Sequence, residues 1–502
     1  MADLILRSLI SGVNFQVARG SGHLHHIALD GQTIADIERD RLHRETQRTQ
    51  GTLVSRFDYD PMGRLRRQSA ERQDTPRPGP LVERRYRYDK AGNLIGSADL
   101  RSGTTDYTYD QLGRILEAAN AGRNTKEKFA FDPAGNILDE LTRNAREGSL
   151  YRPSGNRIAE FNGTRYQYDP LGNLIYRELP DGESQLFEYD TENQLIRAKL
   201  YKPDGEVQQW QYAYDPFGRR ISKERTDKGS LHSTDPKRTV FIWDGSRIVQ
   251  EYNYKGTYTY IYTDQDSYEP LAHVFLNKKD EKLYLSYYHT DQIGIPREQT
   301  DQFGNLLWTG EYDAWGQLTR EEKIYPNAHQ PFRLQNQYFD AETGLHYNLF
   351  RYYAPECGRF INQDPISLLG GNNLYMFAPN AQMWTDPLGW IHGNSKLSQR
   401  ATHVYVILDA RGQLVKCGIS SGKIRQDGKS YRAESQVRKF GAGYSSKIIG
   451  KCPNRQKALD REQDCVDKYS LSQQRKNNLK PGYEWGTKKY QPPRNILPVA
   501  RR

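Results

Sequence analysis

Residues 212–221 read Tyr-Ala-Tyr-Asp-Pro-Phe-Gly-Arg-Arg-Ile, and the same phrase returns along most of the chain. Its pattern is aromatic-x-aromatic-Asp-x-x-Gly-polar-apolar. Aromatics at i and i+2 share one face of a strand. The Asp accepts local backbone N–H bonds and starts a turn, Pro presets φ at the next position, and Gly takes the positive φ that returns the chain. Each phrase therefore predicts a β-hairpin. One hairpin cannot bury its own aromatic face, so stacked neighbours must do so.

Variants of the phrase begin at Phe57 (FDYDPMGRL), Tyr86 (YRYDKAGNLI), Tyr107 (YTYDQLGRI), Phe129 (FAFDPAGNI), Tyr151 (YRPSGNRI), Tyr166 (YQYDPLGNLI), Phe187 (FEYDTENQLI) and Phe241 (FIWDGSRIV). Their spacing is irregular, and an array of this kind gives a long sheet that can spiral and close on itself. Residues 1–50 already alternate like the inside of such an array, so Met1 is expected to open a truncated chain.

Composition sets the outer bounds. At 502 residues the chain can bury a full core and form two or more domains. The apolar fraction is low at 36%, and Tyr is abundant at 35 copies. No apolar run is long enough for a transmembrane helix. The start, MADLILRSLISGVNF, has a short apolar patch without the h-region or cleavage site of a signal peptide. Cys357, Cys417, Cys452 and Cys465 show no CxxC spacing, so no disulfide framework is expected. That suits assembly in a reducing cytoplasm.

Charge divides the chain near residue 390. Residues 391–502 hold 24 Lys+Arg and 8 Asp+Glu, leaving 48 basic and 54 acidic residues before them. A basic tail behind an acidic array points to a nucleic-acid partner for the tail alone, DNA ahead of RNA. The bland alternative is a solubilising or wall-binding charge.

Between the array and the tail lies Asp364 to Trp390, DPISLLGGNNLYMFAPNAQMWTDPLGW, with two Asp-Pro dipeptides 22 positions apart. Two carboxylates held close cannot both ionise easily, so one stays protonated and the pair can work as acid and base. Two Asp-Pro pairs can equally be plain turn starters.

Upstream stand YYHTDQIGIPRE (287–298), EYDAWGQL (311–318) and FRLQNQYFDAETGLHYNLFRYYAPECGRF (332–360). Together with the repeats and the junction, these resemble the C-terminal core of Rhs/YD-repeat polymorphic toxins. The resemblance implies a mainly β fold, with a YD-repeat shell over residues 1–363 that forms a partial cocoon. It implies a core terminus at 364–390 that cleaves itself as an aspartyl protease, and a released toxin at 391–502. By that match Asp364 and Asp386 form the dyad, Arg359 assists, and the scissile bond is Trp390–Ile391. The chain departs from the family at Ser367, where a Gly is usual. His289, Asp291 and His346 could be read as metal ligands, but capping groups in the wall are the plainer reading. Tyr352 and Tyr353 read as packing.

The tail opens on a predicted hairpin, THVYVILDARGQLVKCGIS (402–420), followed by a helix over YRAESQVRKFG, a strand over SSKIIGKC and a helix over RQKALDREQDCVDKYS. This order resembles the GIY-YIG (URI-type) nuclease domain, a small α/β fold. By that match Tyr405 takes the place of the first tyrosine, Gly418 the glycine of the second motif, Arg432 (or Arg425 or Arg438) the arginine, and Asn495 the late asparagine. Glu462 takes the place of the glutamate that binds Mg²⁺ or Mn²⁺. His403 and Lys416 depart from the pattern. Tyr405 with Lys416 would activate water, Glu462 would hold the metal, and Arg432 would steady the phosphate. Arg425, Arg438, Lys439 and Asn495 would bind nucleic acid. Taken singly, Tyr405 reads as core and Glu462 as a solvated helix face. Cys417 as nucleophile with His403 as base is a further possibility.

The expected whole is a toxin made in the cytoplasm, secreted by a contact-dependent route such as type VI secretion, and delivered into a target bacterium. Its partners would be nucleic acid, a cognate immunity protein and a secretion apparatus or spike protein. Two alternatives stand beside it: a metal-independent RNase using His403 with Arg and Lys residues, and a non-enzymatic YD-repeat surface or binding protein with a nucleic-acid-docking tail.

Overall fold

A computed structural model of the chain divides into two compact units, Met1–Ser395 and Lys396–Arg502. It describes residues 15–20, 23–74, 79–138, 155–227, 238–264 and 267–390 of the first, and 402–420, 424, 425, 427–440, 443–452, 461 and 465 of the second.

The first unit is built from antiparallel meanders, in which every strand pairs with the next one in sequence. An 11-stranded sheet runs from Phe15–Gly20 to Thr125–Lys128, and a 15-stranded sheet from Glu160–Phe161 to Leu318–Lys323. A 4-stranded sheet follows, from Tyr338–Asp340 to Arg359–Phe360.

The hairpin chemistry read from the repeat is present in atomic detail. At Asp215, Oδ1 accepts N–H bonds from Phe217 (2.9 Å) and Arg219 (3.0 Å), and Gly218 has φ +78°. The residue after the Gly folds its side chain back onto the Asp. Arg219 Nε donates to Asp215 Oδ2 at 2.7 Å, and Arg64, Asn93, Arg114 and Asn173 do the same to Asp60, Asp89, Asp110 and Asp169. The "polar" position of the phrase is thus a staple across the turn.

The two aromatics share a face, as expected, but do different work. The first is buried: Tyr166, Phe187, Tyr212 and Phe241 join one apolar cluster with Tyr338, Leu345, Tyr347 and Tyr352 of the 4-stranded sheet. The second reaches back to the preceding repeat. The hydroxyls of Tyr88, Tyr109, Tyr189 and Tyr214 donate to the carbonyls of Leu65, Leu94, Leu174 and Leu195 at 2.7–2.9 Å. Trp243 Nε1 donates likewise to Arg220 O at 2.8 Å.

The 4-stranded sheet is locked to the 15-stranded one by buried charge. Arg220, with no exposed side-chain surface, holds Asp340 through Nη1 (2.5 Å) and Nη2 (2.9 Å), and Lys223 reaches Asp340 (3.0 Å) and Glu342 (2.9 Å). Removing one member of such a buried network costs about 3–5 kcal/mol, because the remaining charge is left without a partner. The 11-stranded sheet meets the later strands of the 15-stranded one through Gln50 to Leu271 O (3.2 Å), Gln68 to Thr290 O (2.6 Å) and the Arg84–Glu298 ion pair.

The second unit holds a 3-stranded antiparallel sheet with Thr402–Leu408 in the middle, flanked by Leu414–Ser420 and Ser445–Cys452. The helix Tyr431–Phe440 packs through Ala433 on the face that carries Tyr405 and Ile407. On the other face, Val406 and Cys417 meet Cys465. Cys417 and Cys465 form a disulfide, which corrects the expectation of an unbridged set of cysteines. The spacing of 48 residues carries no sequence signature, and only the fold brings the two sulfurs together. Among the described residues no helix is long and apolar enough to cross a membrane.

Candidate functional site

The junction segment is held inside the first unit, and Arg351 is its centre. This side chain is buried, on the strand Arg351–Ala354. Its Nη2 lies 3.4 Å from Asp364 Oδ2 and 3.3 Å from Asp386 Oδ2. Its Nη1 donates to Leu374 O at 3.1 Å, and its Nε donates to Gly389 O. The two Asp-Pro carboxylates therefore converge on one guanidinium, and both are buried.

Local turns put them there. Asp364 starts a tight turn in which its Oδ1 accepts the N–H of Ile366 at 3.1 Å and its carbonyl accepts that of Ser367 at 2.8 Å. Asp386 starts a second turn, with Gly389 at φ +63° and Trp390 N donating to Asp386 Oδ1 at 3.1 Å. Both are the turn starters that Asp-Pro predicts, and both also present a carboxylate oxygen to Arg351. A Cβ on Gly370 would fall 2.1 Å from Asp364 Oδ2 and 3.0 Å from the Trp390 carbonyl oxygen, so that glycine leaves open a space that both atoms border.

The environment separates Asp364 from an ordinary surface carboxylate. Burial pushes Asp364 up to about 6; Arg351 opposes the rise and Asp386 adds to it. The dyad can therefore hold a proton on Asp364 into the mildly acidic range, the condition for one carboxyl to donate while the other accepts. Burial also lowers Arg351, against the pull of both carboxylates.

Arg359, expected to assist the dyad, is engaged elsewhere. It donates to Asn136 Oδ1 (3.3 Å) and to Asn156 O, and lies over the Tyr375 ring at 4.8 Å. The arginine at the carboxylates is Arg351. Its signal in the sequence was present but indistinct, one of two arginines in the aromatic run NLFRYYAPECGRF. Ile391 lies outside the described residues.

The metal alternative at His289, Asp291 and His346 gives way to wall chemistry. His289 Nε2 and Thr300 Oγ1 are 3.0 Å apart, and burial lowers this imidazole to about 3. Asp291 caps its turn through Ile293 and Ile295 and pairs with Arg297 at 2.8 Å. His346 Nδ1 sits 2.8 Å from Gln337 Oε1. Tyr352 and Tyr353 are buried in packing, as read. Among the described residues no three His, Cys, Asp or Glu side chains gather as a metal site.

In the second unit, strand register puts Tyr405 opposite Gly418 and Ile407 opposite Lys416, so Tyr405 and Lys416 share a sheet face. The same face receives the helix that carries Arg432, Arg438 and Lys439. Tyr405 is only 1% exposed, and its ring fills the space above Gly418, where a Cβ would meet the hydroxyl at 2.6 Å. Lys416 is half-buried and Arg438 exposed. Arg425 and Lys429 face Glu434 at 3.5 and 3.6 Å, and Ser446 Oγ donates to Glu434 at 2.6 Å. Glu462 and Asn495 lie outside the described residues. Cys465, three positions after Glu462, is bonded on the opposite sheet face from Tyr405. That bond also corrects the reading of Cys417 as a free nucleophile. His403 is buried, and burial lowers its imidazole, with Lys451 adding to the effect.

Comparison with known proteins covers mainly the wall. The family model for the teneurin YD-shell matches residues 88–382. Double-stranded DNA deaminase toxin A of Burkholderia cenocepacia is 41% identical over 388 residues, which is 74% of this chain and 27% of that protein. Toxin protein Tse5 of Pseudomonas aeruginosa is 32% identical over 433 residues, covering 74% of this chain and 32% of that protein. The probable deoxyribonuclease RhsB of Dickeya dadantii is 31% identical, covering 74% and 25%. The chain thus spans a third or less of the length of these relatives. The crystal structure of TcdB2-TccC3-TEV aligns with TM-score 0.58 at 19% identity, over 75% of this chain and 20% of that one. At that identity the likeness is one of fold.

Proposed function

This chain belongs to the teneurin YD-shell family, and from that premise we propose that it is the C-terminal part of an Rhs-type polymorphic toxin. The repeat wall cuts its own chain at Trp390–Ile391 and releases a basic tail that degrades nucleic acid in a rival cell. Three relatives that bear different names, a DNA deaminase toxin, a toxin and a probable deoxyribonuclease, each match 74% of the chain. A common wall with differing warheads fits that pattern.

The observation that carries the cleavage reading is the pair Asp364 and Asp386 on Arg351, with the Trp390 carbonyl beside Asp364. In the proposed step, Asp386 takes a proton from water as the water oxygen bonds to the Trp390 carbonyl carbon. Asp364 gives its proton to the carbonyl oxygen. The tetrahedral centre then collapses: the proton on Asp386 passes to the Ile391 nitrogen as the C–N bond breaks, and one of the two hydroxyls returns its proton to Asp364 as the Trp390 carboxyl forms. Arg351 holds both carboxylates and draws charge through Gly389 O.

For the tail, the nuclease reading rests on its net charge and on the order hairpin, helix, strand. Tyr405, Lys416 and the Arg432 helix on one sheet face support a shared site. Glu462 would hold Mg²⁺ or Mn²⁺, which would act there as a Lewis acid on the leaving oxygen. An immunity protein and a delivery apparatus complete the proposal. The burial of Tyr405 favours a second reading, in which Tyr405 is core and the tail docks nucleic acid without cutting it.

The test is a nuclease assay of residues 391–502 on DNA and RNA, with and without EDTA, beside Glu462→Ala. Metal-dependent degradation lost in the variant supports the proposal. Activity that survives both treatments moves the tail to a metal-independent RNase. Binding without degradation supports the docking module.

A further inference from the structure

The four residues before Trp390 are held through their backbone. Each carbonyl from 386 to 389 receives its own donor. Asn348 Nδ2 donates to Asp386 O (2.9 Å), Asn336 Nδ2 to Pro387 O (2.6 Å), Phe350 N to Leu388 O (3.4 Å) and Arg351 Nε to Gly389 O. These bonds read backbone and are blind to side chains. At residue 390 the mode of contact changes. The Trp390 ring stacks on Phe350, with centroids 4.3 Å apart and planes 17° from parallel. Among the described residues the buried Trp390 Nε1 has no hydrogen-bond partner, and the ring face is what they engage.

Phe350 is itself backed by the wall. Gly218, the turn glycine of a repeat, leaves the space its ring occupies: a Cβ there would lie 2.9 Å from Phe350 Cε1. One ring of the stack is thus fixed by the shell, and the other belongs to the chain to be cut.

We infer that Phe350 is a specificity-determining residue for the self-cleavage, selecting a flat apolar side chain at position 390 and so fixing which bond is presented to the carboxylates. This rests on the cleavage reading above and adds to it the feature of the substrate that is recognised. Backbone donors alone would hold neighbouring registers equally well. The stack breaks that degeneracy, because residues 387 to 389 are Pro, Leu and Gly and only 390 is aromatic.

The experiment follows cleavage of the full chain over time after synthesis in a cell-free system, with the cut mapped by mass. Trp390→Phe should cleave at close to the parent rate. Trp390→Ala and Phe350→Ala should each slow the cut by about tenfold, the scale of a lost aromatic pair at a positioned bond. The double variant should be no slower than either single one, since both remove the same contact. Equal rates for Trp390→Ala and the parent, or losses that multiply in the double variant, overturn the inference. A protease-resistant wall in each variant separates lost recognition from lost folding, and Phe350→Leu replaces Phe350→Ala if the latter loses it. Asp364→Asn tests the underlying reading on its own. If that variant still cuts at 390, the dyad is wrong whatever the aromatic variants do. If it does not cut while Trp390→Ala cuts at the parent rate, only the specificity inference falls.

Discussion

Asp364 and Asp386, 22 positions apart in the chain, each aim a carboxylate oxygen at the same nitrogen of Arg351, at 3.4 and 3.3 Å. Arg351→Ala would leave two buried carboxylates facing each other and strip donors from Leu374 O and Gly389 O. We expect no cleavage from this variant and a wall less stable by about 3–5 kcal/mol, the cost of breaking a buried ion pair from one side. Gel analysis of the purified chain and a denaturant melt check both. Arg359→Ala, by contrast, should weaken the contact with Asn136 and Asn156 while leaving the dyad in place.

Gly370→Ala tests the site with one methyl group. Gly370 has ordinary helical backbone, φ −77°, so alanine adds no conformational strain. Its Cβ would strike Asp364 Oδ2 at 2.1 Å. The carboxylate must move, and cleavage should fall by about a hundredfold, since a displacement of about 1 Å is enough for that. The melting temperature should barely change. An unaltered cleavage rate would remove Asp364 from the chemistry.

The pH profile has a defined sign. Asp364 is raised to about 6 in the folded chain, above the ordinary carboxylate range near 3.9. A group raised on folding stabilises the fold fully below its unfolded value, and that contribution is lost as pH rises through its folded one. Cleavage that needs the protonated Asp364 should likewise fall as pH rises through about 6. Rates of processing measured in buffers across that range check this, and Asp364→Asn should abolish the cut while removing the pH dependence of stability at this site.

The Cys417–Cys465 bridge closes a loop of 48 positions in the second unit. A loop of that length is worth about 4 kcal/mol in the chain-entropy account. Reductant should therefore make the tail of the full chain sensitive to limited proteolysis and leave the wall resistant. Cys417→Ser should reproduce the effect without reductant.

The wall was readable because its signal is local. Each Asp, Gly and aromatic acts within its own hairpin, so spacing alone predicts the turn at Asp215 and the strand before it. The destination of the second aromatic's hydroxyl was not readable, because it depends on how one hairpin lies beside the last. Nor was Arg351. Arg351 and Arg359 look alike in the sequence, and only the path of the 4-stranded sheet decides which one meets the carboxylates. The disulfide was missed for the same reason, since Cys417 and Cys465 meet across a sheet face and not along a motif. The two Asp-Pro pairs do not force a choice between turn starter and paired carboxylate: both residues start turns, and both converge on Arg351.

The proposed cut site rests on turns made far upstream. Phe350 leans on Gly218, Tyr375 donates to Gly172 O at 2.8 Å, Asn380 to Gly113 O at 2.7 Å, and Asn373 to Asn136 at 2.8 Å. Each of those partners sits in a different hairpin of the wall. The scissile segment can settle only when those hairpins already stand in register, so the geometry acts as an interlock. On the cleavage proposal, a chain whose wall is misassembled lacks the surface on which to cut itself, and severance of the tail would be a record that the wall was finished first.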